Sequence, residues 1–130
     1  MVRKIVVGLL LLSGAMAVAQ RTEKSSPEIP KADEQVMERS VLVIENMSNI
    51  VETDSLDCGK MALDLNRLYQ NSSQAIAAAK AGDKRMTQEA HKALLNKFKA
   101  RLDRAMLRVQ QNIPHCSKDP GVDSAMKQFK

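Results

Sequence analysis

The chain has almost no aromatic side chains. Tyr69, Phe98 and Phe129 are the only three among 130 residues, and there is no Trp. Base-stacking platforms and carbohydrate-stacking surfaces both need exposed aromatic area, so neither is expected, and no nucleic-acid partner is expected with them. Catalytic signatures are missing as well. The sequence holds no G-x-S-x-G, H-E-x-x-H, C-x-x-C or C-x-x-C-H motif and no phosphate-binding glycine loop. No nucleophile–base pair stands out, and the chain reads as non-enzymatic. Apolar runs never reach the ~20 residues that span a bilayer. Strand formers never alternate, while Ala, Leu, Met, Lys, Gln and Glu dominate, which favours an all-helical fold.

The N-terminus is organised differently from the rest. Arg3 and Lys4 give a short basic start, Ile5 to Leu12 form an apolar stretch broken only by Gly8, and small residues follow to Gln20. That order is a secretory signal peptide over residues 1–19, with cleavage expected after Ala19 and, as second choice, after Ala17. No Cys follows the apolar stretch, so lipid anchoring through a cysteine at the cleavage point is excluded. The brevity of the segment suits a Gram-negative exporter, which places the mature protein in the periplasm or outside the cell. Residues 20–31, which hold Pro27 and Pro30, read as a solvated tether, leaving 32–130 as one helical domain.

Two cysteines, Cys58 and Cys116, remain in a chain read as exported, and a disulfide between them is the simplest expectation. The chain-entropy treatment assigns a closed loop of about 60 residues roughly 4 kcal/mol of stabilisation. For a mature domain this small, that is a large share of the total.

Three long helices and a short fourth are predicted. The first covers Ala32 to Val51, its apolar positions including Val36, Val41, Ile44, Met47 and Val51 at three-and-four spacing, with Leu42 and Val43 widening that face. Thr53 to Asp57 breaks the chain, with Asp54 expected as the next N-cap and Asp57 in its first turn. A second helix is expected from Leu56 to Lys80, ended by Gly82 as a left-handed residue. The third starts at Asp83 or Thr87 and runs to Ile113, before Pro114. Asp119 and Pro120 cap a final short helix with Val122, Met126 and Phe129 inward. Folding the second and third helices into a hairpin places Tyr69 beside Phe98 and brings Cys58 and Cys116 into bridging range.

The sharpest candidate for a binding face is a cationic stripe on the third helix, formed by Lys97, Arg101, Arg104 and Arg108. Such a stripe suits phosphates, lipid headgroups or an acidic partner. An internal role competes with it. Glu28 to Asp57 carries eight acids against two bases, and Lys84 to Arg108 carries eight bases against two acids, so the two segments are expected to face or flank each other. His91, His115 and the six methionines beyond the signal raise the question of a haem or copper site, but the methionines sit at core spacing and are not clustered. No cofactor and no metal site is expected. The Asn46 and Asn71 glycosylation sequons fall inside predicted helices and are discounted.

The expected fold is all-α: a small antiparallel three-helix bundle with a short C-terminal helix, stapled by one disulfide. One bridge tying an early helix to a point just before a basic C-terminal helix gives a layout similar to that of the small acid-stress periplasmic chaperones. The cysteine spacing is wider and the aromatics fewer here, and no residue is carried over. The function expected first is that of an interaction or structural module of the cell envelope, with an unidentified protein or envelope partner. A stress chaperone exposing apolar faces is the alternative that the layout implies, and a small-ligand or haem carrier is the third.

Overall fold

The computed structural model describes residues 29–130, which fold as an all-helical bundle. The signal peptide expected at 1–19 and the first part of the tether lie outside these residues. In chain order, α1 spans Lys31–Thr53, α2 Cys58–Asn71, α3 Ser73–Arg85, α4 Gln88–Asn112 and α5 Pro120–Lys127.

The first helix begins without a side-chain cap. The Pro30 carbonyl accepts from the Asp33 and Glu34 amides at 3.1 Å each, and those two acids complement the helix dipole. Its buried residues, Val41, Val43, Met47, Ser48 and Val51, cover too wide an arc for a helix packed on one side. They do so because α1 is the centre of the bundle: α4 lies along one flank, and α2 and α3 lie along another. The widened face formed by Val43 is thereby explained, whereas Leu42 remains exposed.

The second arm differs from expectation in three ways. First, it is two helices and not one. Asn71, Ser72 and Ser73 are consecutive weak helix formers whose side chains compete for backbone hydrogen bonds. The helix stops at Ser72, whose amide donates to both the Leu68 and the Tyr69 carbonyls, and restarts at Ser73. Second, Gly82 does not terminate the arm. No glycine among the described residues has a positive φ, and α3 continues through Gly82 to Arg85. A Cβ built on Gly82 would meet Val36 Cγ1 at 3.5 Å, so the residue is buried against α1 inside a helix. The next helix starts at Thr87, the second of the two expected caps, whose Oγ1 accepts from the Ala90 amide at 3.1 Å. Third, Asp57 and not Asp54 caps α2, its Oδ1 accepting from the Lys60 amide at 3.0 Å. Asp54 stands one turn earlier, as the buried C-cap of α1, its amide donating to the Ile50 carbonyl.

Packing within the hairpin also differs. The second arm meets α4 around Val109 and Ile113, and Tyr69 does not reach Phe98. Tyr69 packs edge-on against Phe129, ring centroids 5.5 Å apart at 83°, because α5 folds back onto α2 and carries the chain end over it. Phe98 lies instead with Val41 and Leu94, bordered by Met37, Met86 and Leu102. That cluster is one of two cores. The other lies at the disulfide end, where Met47, Val51, Met61, Leu65 and Val109 meet Cys116, Val122 and Ala125.

The bridge itself joins Cys58, the first residue of α2, to the fully buried Cys116, with Cα atoms 5.3 Å apart. Asp119 then caps α5 by accepting from the Val122 amide at 3.0 Å, and Pro120 takes the first helical position as expected.

Two measurements check this arrangement. Reducing the disulfide, or replacing both cysteines by serine, lowers the unfolding free energy by about 4 kcal/mol in denaturant titrations. Gly82→Ala raises stability by roughly 0.5–1 kcal/mol, because a helical glycine with room for a Cβ gains from alanine. A left-handed terminator would lose stability on the same change.

Candidate functional site

The cationic stripe sits where α4 runs beside α1. Lys97 pairs with Glu34 and Arg101 with Glu38, both across 63 residues of sequence. Arg101 also pairs with Glu45 across 56 residues, and Arg108 repeats that offset with Glu52 one heptad further along both helices. A constant offset means that the two helices run parallel, the up–down–up path of the bundle bringing first and third helices side by side. The pairing has a sequence basis. Glu34, Glu38, Glu45 and Glu52 recur at intervals of four and seven residues along one edge of α1, and Lys97, Arg101 and Arg108 keep the same intervals on α4.

Arg101 is the best-held member. Its Nη1 donates to Glu38 at 2.8 and 2.9 Å, and its Nη2 and Nε donate to Glu45 at 2.5 and 3.2 Å. The guanidinium also lies 5.6 Å from the centre of the Phe98 ring, so one side chain ties two carboxylates and covers an aromatic edge of the core. These contacts raise the guanidinium pKa further. Conversely, the hydrogen bonds from Arg101 hold the Glu45 carboxyl below its ordinary range, burial opposes this, and the charges of Arg101, Arg104 and Arg108 add to the lowering. Arg108 bonds Asn49 Oδ1 at 2.6 Å and approaches the hydroxyl of the fully buried Ser48 at 3.5 Å. Ser48 and Ala105 are small, and their size lets the two helices close up between the two cores.

Arg104 differs from its neighbours. It is exposed and has no ion pair among the described residues. It lines an open groove of about 320 Å³ between α1 and α4, with Arg101, Arg108, Glu45, Asn46 and Asn49 around it. Three guanidiniums and two amides against a single carboxylate make the groove a donor-rich surface suited to carboxylate or phosphate oxygens. Leu42 stands on its edge, and Leu107, three residues on from Arg104, extends the surface with an exposed apolar side chain.

A second ionic cluster, not anticipated from the sequence, closes the corner between α1 and α2. Lys60 Nζ donates to Asp54 Oδ1 at 2.8 Å and to Asp64 Oδ2 at 3.1 Å. Asp54 is only 3% exposed, and its Oδ2 has no hydrogen-bond partner. The shared contact with Asp54 and the bond from Lys60 lower the Asp64 carboxyl pKa, and the bonds to Asp54 and Asp64 raise that of Lys60. Asp64 and Lys60 one turn apart were visible in the sequence; the approach of Asp54 depends on how α1 ends.

The other candidates stay apart. His91 is half-exposed at the edge of the bundle, its Nδ1 3.5 Å from Asp83 Oδ1. Among the described residues, no group of three or more His, Cys, Asp or Glu side chains is placed to hold a metal ion. No helix there is long and apolar enough to cross a membrane. Comparisons with protein-family models, with curated proteins and with solved structures returned no match to this chain.

The ladder makes two measurable statements. Arg101→Ala lowers the melting midpoint by several degrees, whereas Arg104→Ala leaves it within about a degree, as for an exposed side chain without a partner. Glu45 and Asp64 have lowered folded pKa values, so their stabilisation is fully present above the ordinary carboxylate range of about pH 4. It is lost as the pH falls through the lower folded values. The Arg101→Ala variant therefore shows a shallower acid dependence of stability than the parent.

Proposed function

We propose that this protein is a non-enzymatic, exported helical module of the cell envelope that binds a protein or envelope partner through the groove around Arg104. The carrying observation is the division of labour on α4. Lys97, Arg101 and Arg108 are engaged by acids of α1, and Arg104 stands between them without one. Its neighbours are donor groups and two exposed leucines, Leu42 and Leu107, a mixture of charge and apolar surface typical of partner recognition. The disulfide supports residence in an oxidising compartment, in keeping with the signal peptide read from residues 1–19.

A second reading, a periplasmic stress chaperone, draws support from apolar side chains already in solvent, above all Leu56 at 82% and Leu63 at 56% exposed. Acid separates the two readings. An interaction module keeps its structure and binds little apolar dye near pH 2–3, whereas a chaperone of that kind gains dye binding and protects an aggregating client.

The direct test places a photo-crosslinking residue at Arg104 or Leu107 and irradiates intact cells. A discrete adduct, absent when the probe sits at Lys118 on the exposed turn before α5, is the expected outcome. Equal or absent crosslinking at both places removes the groove as the binding face.

A further inference from the structure

On another side of α1, away from the arginines, the bundle leaves a second opening. Ile44 and Met47 of α1 face Ile76 and Ala79 of α3, and Phe129 closes one end after α5. The space between them is an open cleft of about 380 Å³, within the roughly 300–1,000 Å³ of small-molecule sites. Part of its origin is in the sequence: Ala79, on the α3 wall between Ile76 and Asp83, stops at Cβ and does not reach across to fill the gap. Val43, Ile44, Met47, Ile76, Ala79 and Phe129 are its apolar lining, with the Ser40 hydroxyl turned to the Val36 carbonyl, and Met47 is of the type that adapts its shape to what it meets.

Charge is confined to the rim. Lys80 and Lys130 line the cleft, and neither has an ion pair among the described residues. Asp83 is the third charged residue there, and it faces His91 of α4. An apolar floor with two unpaired ammonium groups at its edge matches an amphiphile with one negative head and one apolar tail. We infer that this cleft binds a free long-chain carboxylate, with the tail laid on Ile44, Met47, Ile76 and Phe129 and the head held by Lys80 and Lys130.

This inference is independent of the arginine groove, since it uses none of that groove's residues. The test is displacement of a fluorescent anionic apolar probe from the purified protein by laurate, with dodecanol as the uncharged control. Laurate displaces the probe and dodecanol does so at least about tenfold more weakly, a difference that charge-assisted contacts supply. Lys80→Glu combined with Lys130→Glu weakens laurate by a similar factor and, both residues being exposed, leaves the melting midpoint unchanged. Ala79→Leu, which fills the cleft from its half-buried wall, abolishes displacement. Equal binding of laurate and dodecanol, insensitivity to Ala79→Leu, or sedimentation with phosphatidylglycerol vesicles in place of laurate binding overturns it.

Discussion

The parallel contact between α1 and α4 is the constraint on which the rest of the bundle depends. Parallel helices cannot be joined by a short turn, so the chain must return over the full length of α1 before α4 begins. α2 and α3, divided at Ser72, are that return along α1, which spans about 34 Å. The contact is specified from two sides. Val41, Leu94 and Phe98 supply apolar burial, which is non-directional. The acid–base ladder supplies register: a slip of one turn along either helix would leave Arg101 opposite one of Glu38 and Glu45 and break its simultaneous hold on both. Exposed ion pairs contribute little to stability, so orientation and register are what the ladder mainly determines.

The opposite end is held covalently. Cys58 opens α2 and Cys116 follows α4, so the bridge fixes the start of the return arm to the end of the third helix. Without it, the core formed by Met61, Leu65, Val109 and Val122 would have to hold the second arm, α4 and α5 together by packing alone. The Asp54–Lys60–Asp64 cluster lies at the same corner and fixes how the chain leaves α1 and enters α2. A buried carboxylate such as Asp54 is costly, and Lys60 offsets that cost only while it remains charged and near. The helix order therefore rests on a charge register along the length of α1 and on a covalent link at one of its ends.

What the sequence made legible was whatever depends on neighbours along the chain. Thr87 and Asp119 as caps, Pro120 at a first helical position, the helical class and the Cys58–Cys116 pairing all follow from short-range chemistry or simple counting. The departures have two origins, the identity of the neighbouring helix and, at Asp57 and Ser72, a local choice between adjacent polar residues able to end or start a helix. Tyr69 was placed against Phe98 on the assumption that second and third helices face each other; the real neighbour of the third is the first. Gly82 reads as a terminator because glycine often ends a helix, but α3 carries it through to Arg85 with ordinary contact room beside Val36. Asp54 reads as a cap because an aspartate before a helix usually is one, yet Asp57, three residues nearer α2, takes that place. The corrective signal was present in the four-and-seven spacing shared by Glu34, Glu38 and Glu45 on one helix and Lys97, Arg101 and Arg108 on the other. Opposite net charge alone said that the segments associate, and only the matched intervals say that they do so in parallel.

The same geometry decides which parts of the surface are available. A cation already bound by two carboxylates offers a partner little, because the partner's acid must displace an internal one at nearly equal energy. Arg101 is therefore a structural residue despite its place at the centre of the stripe. Arg104 makes no ion pair among the described residues, Glu45 beside it being held by Arg101, and a partner carboxylate meets it without breaking any pair. The field at that point remains positive, because Arg101 and Arg108 are close by and Glu45, the one acid lining the groove, is already occupied by Arg101. Association through this groove would then be sensitive to ionic strength through its rate, while the fold beneath it, held by burial and the disulfide, would not.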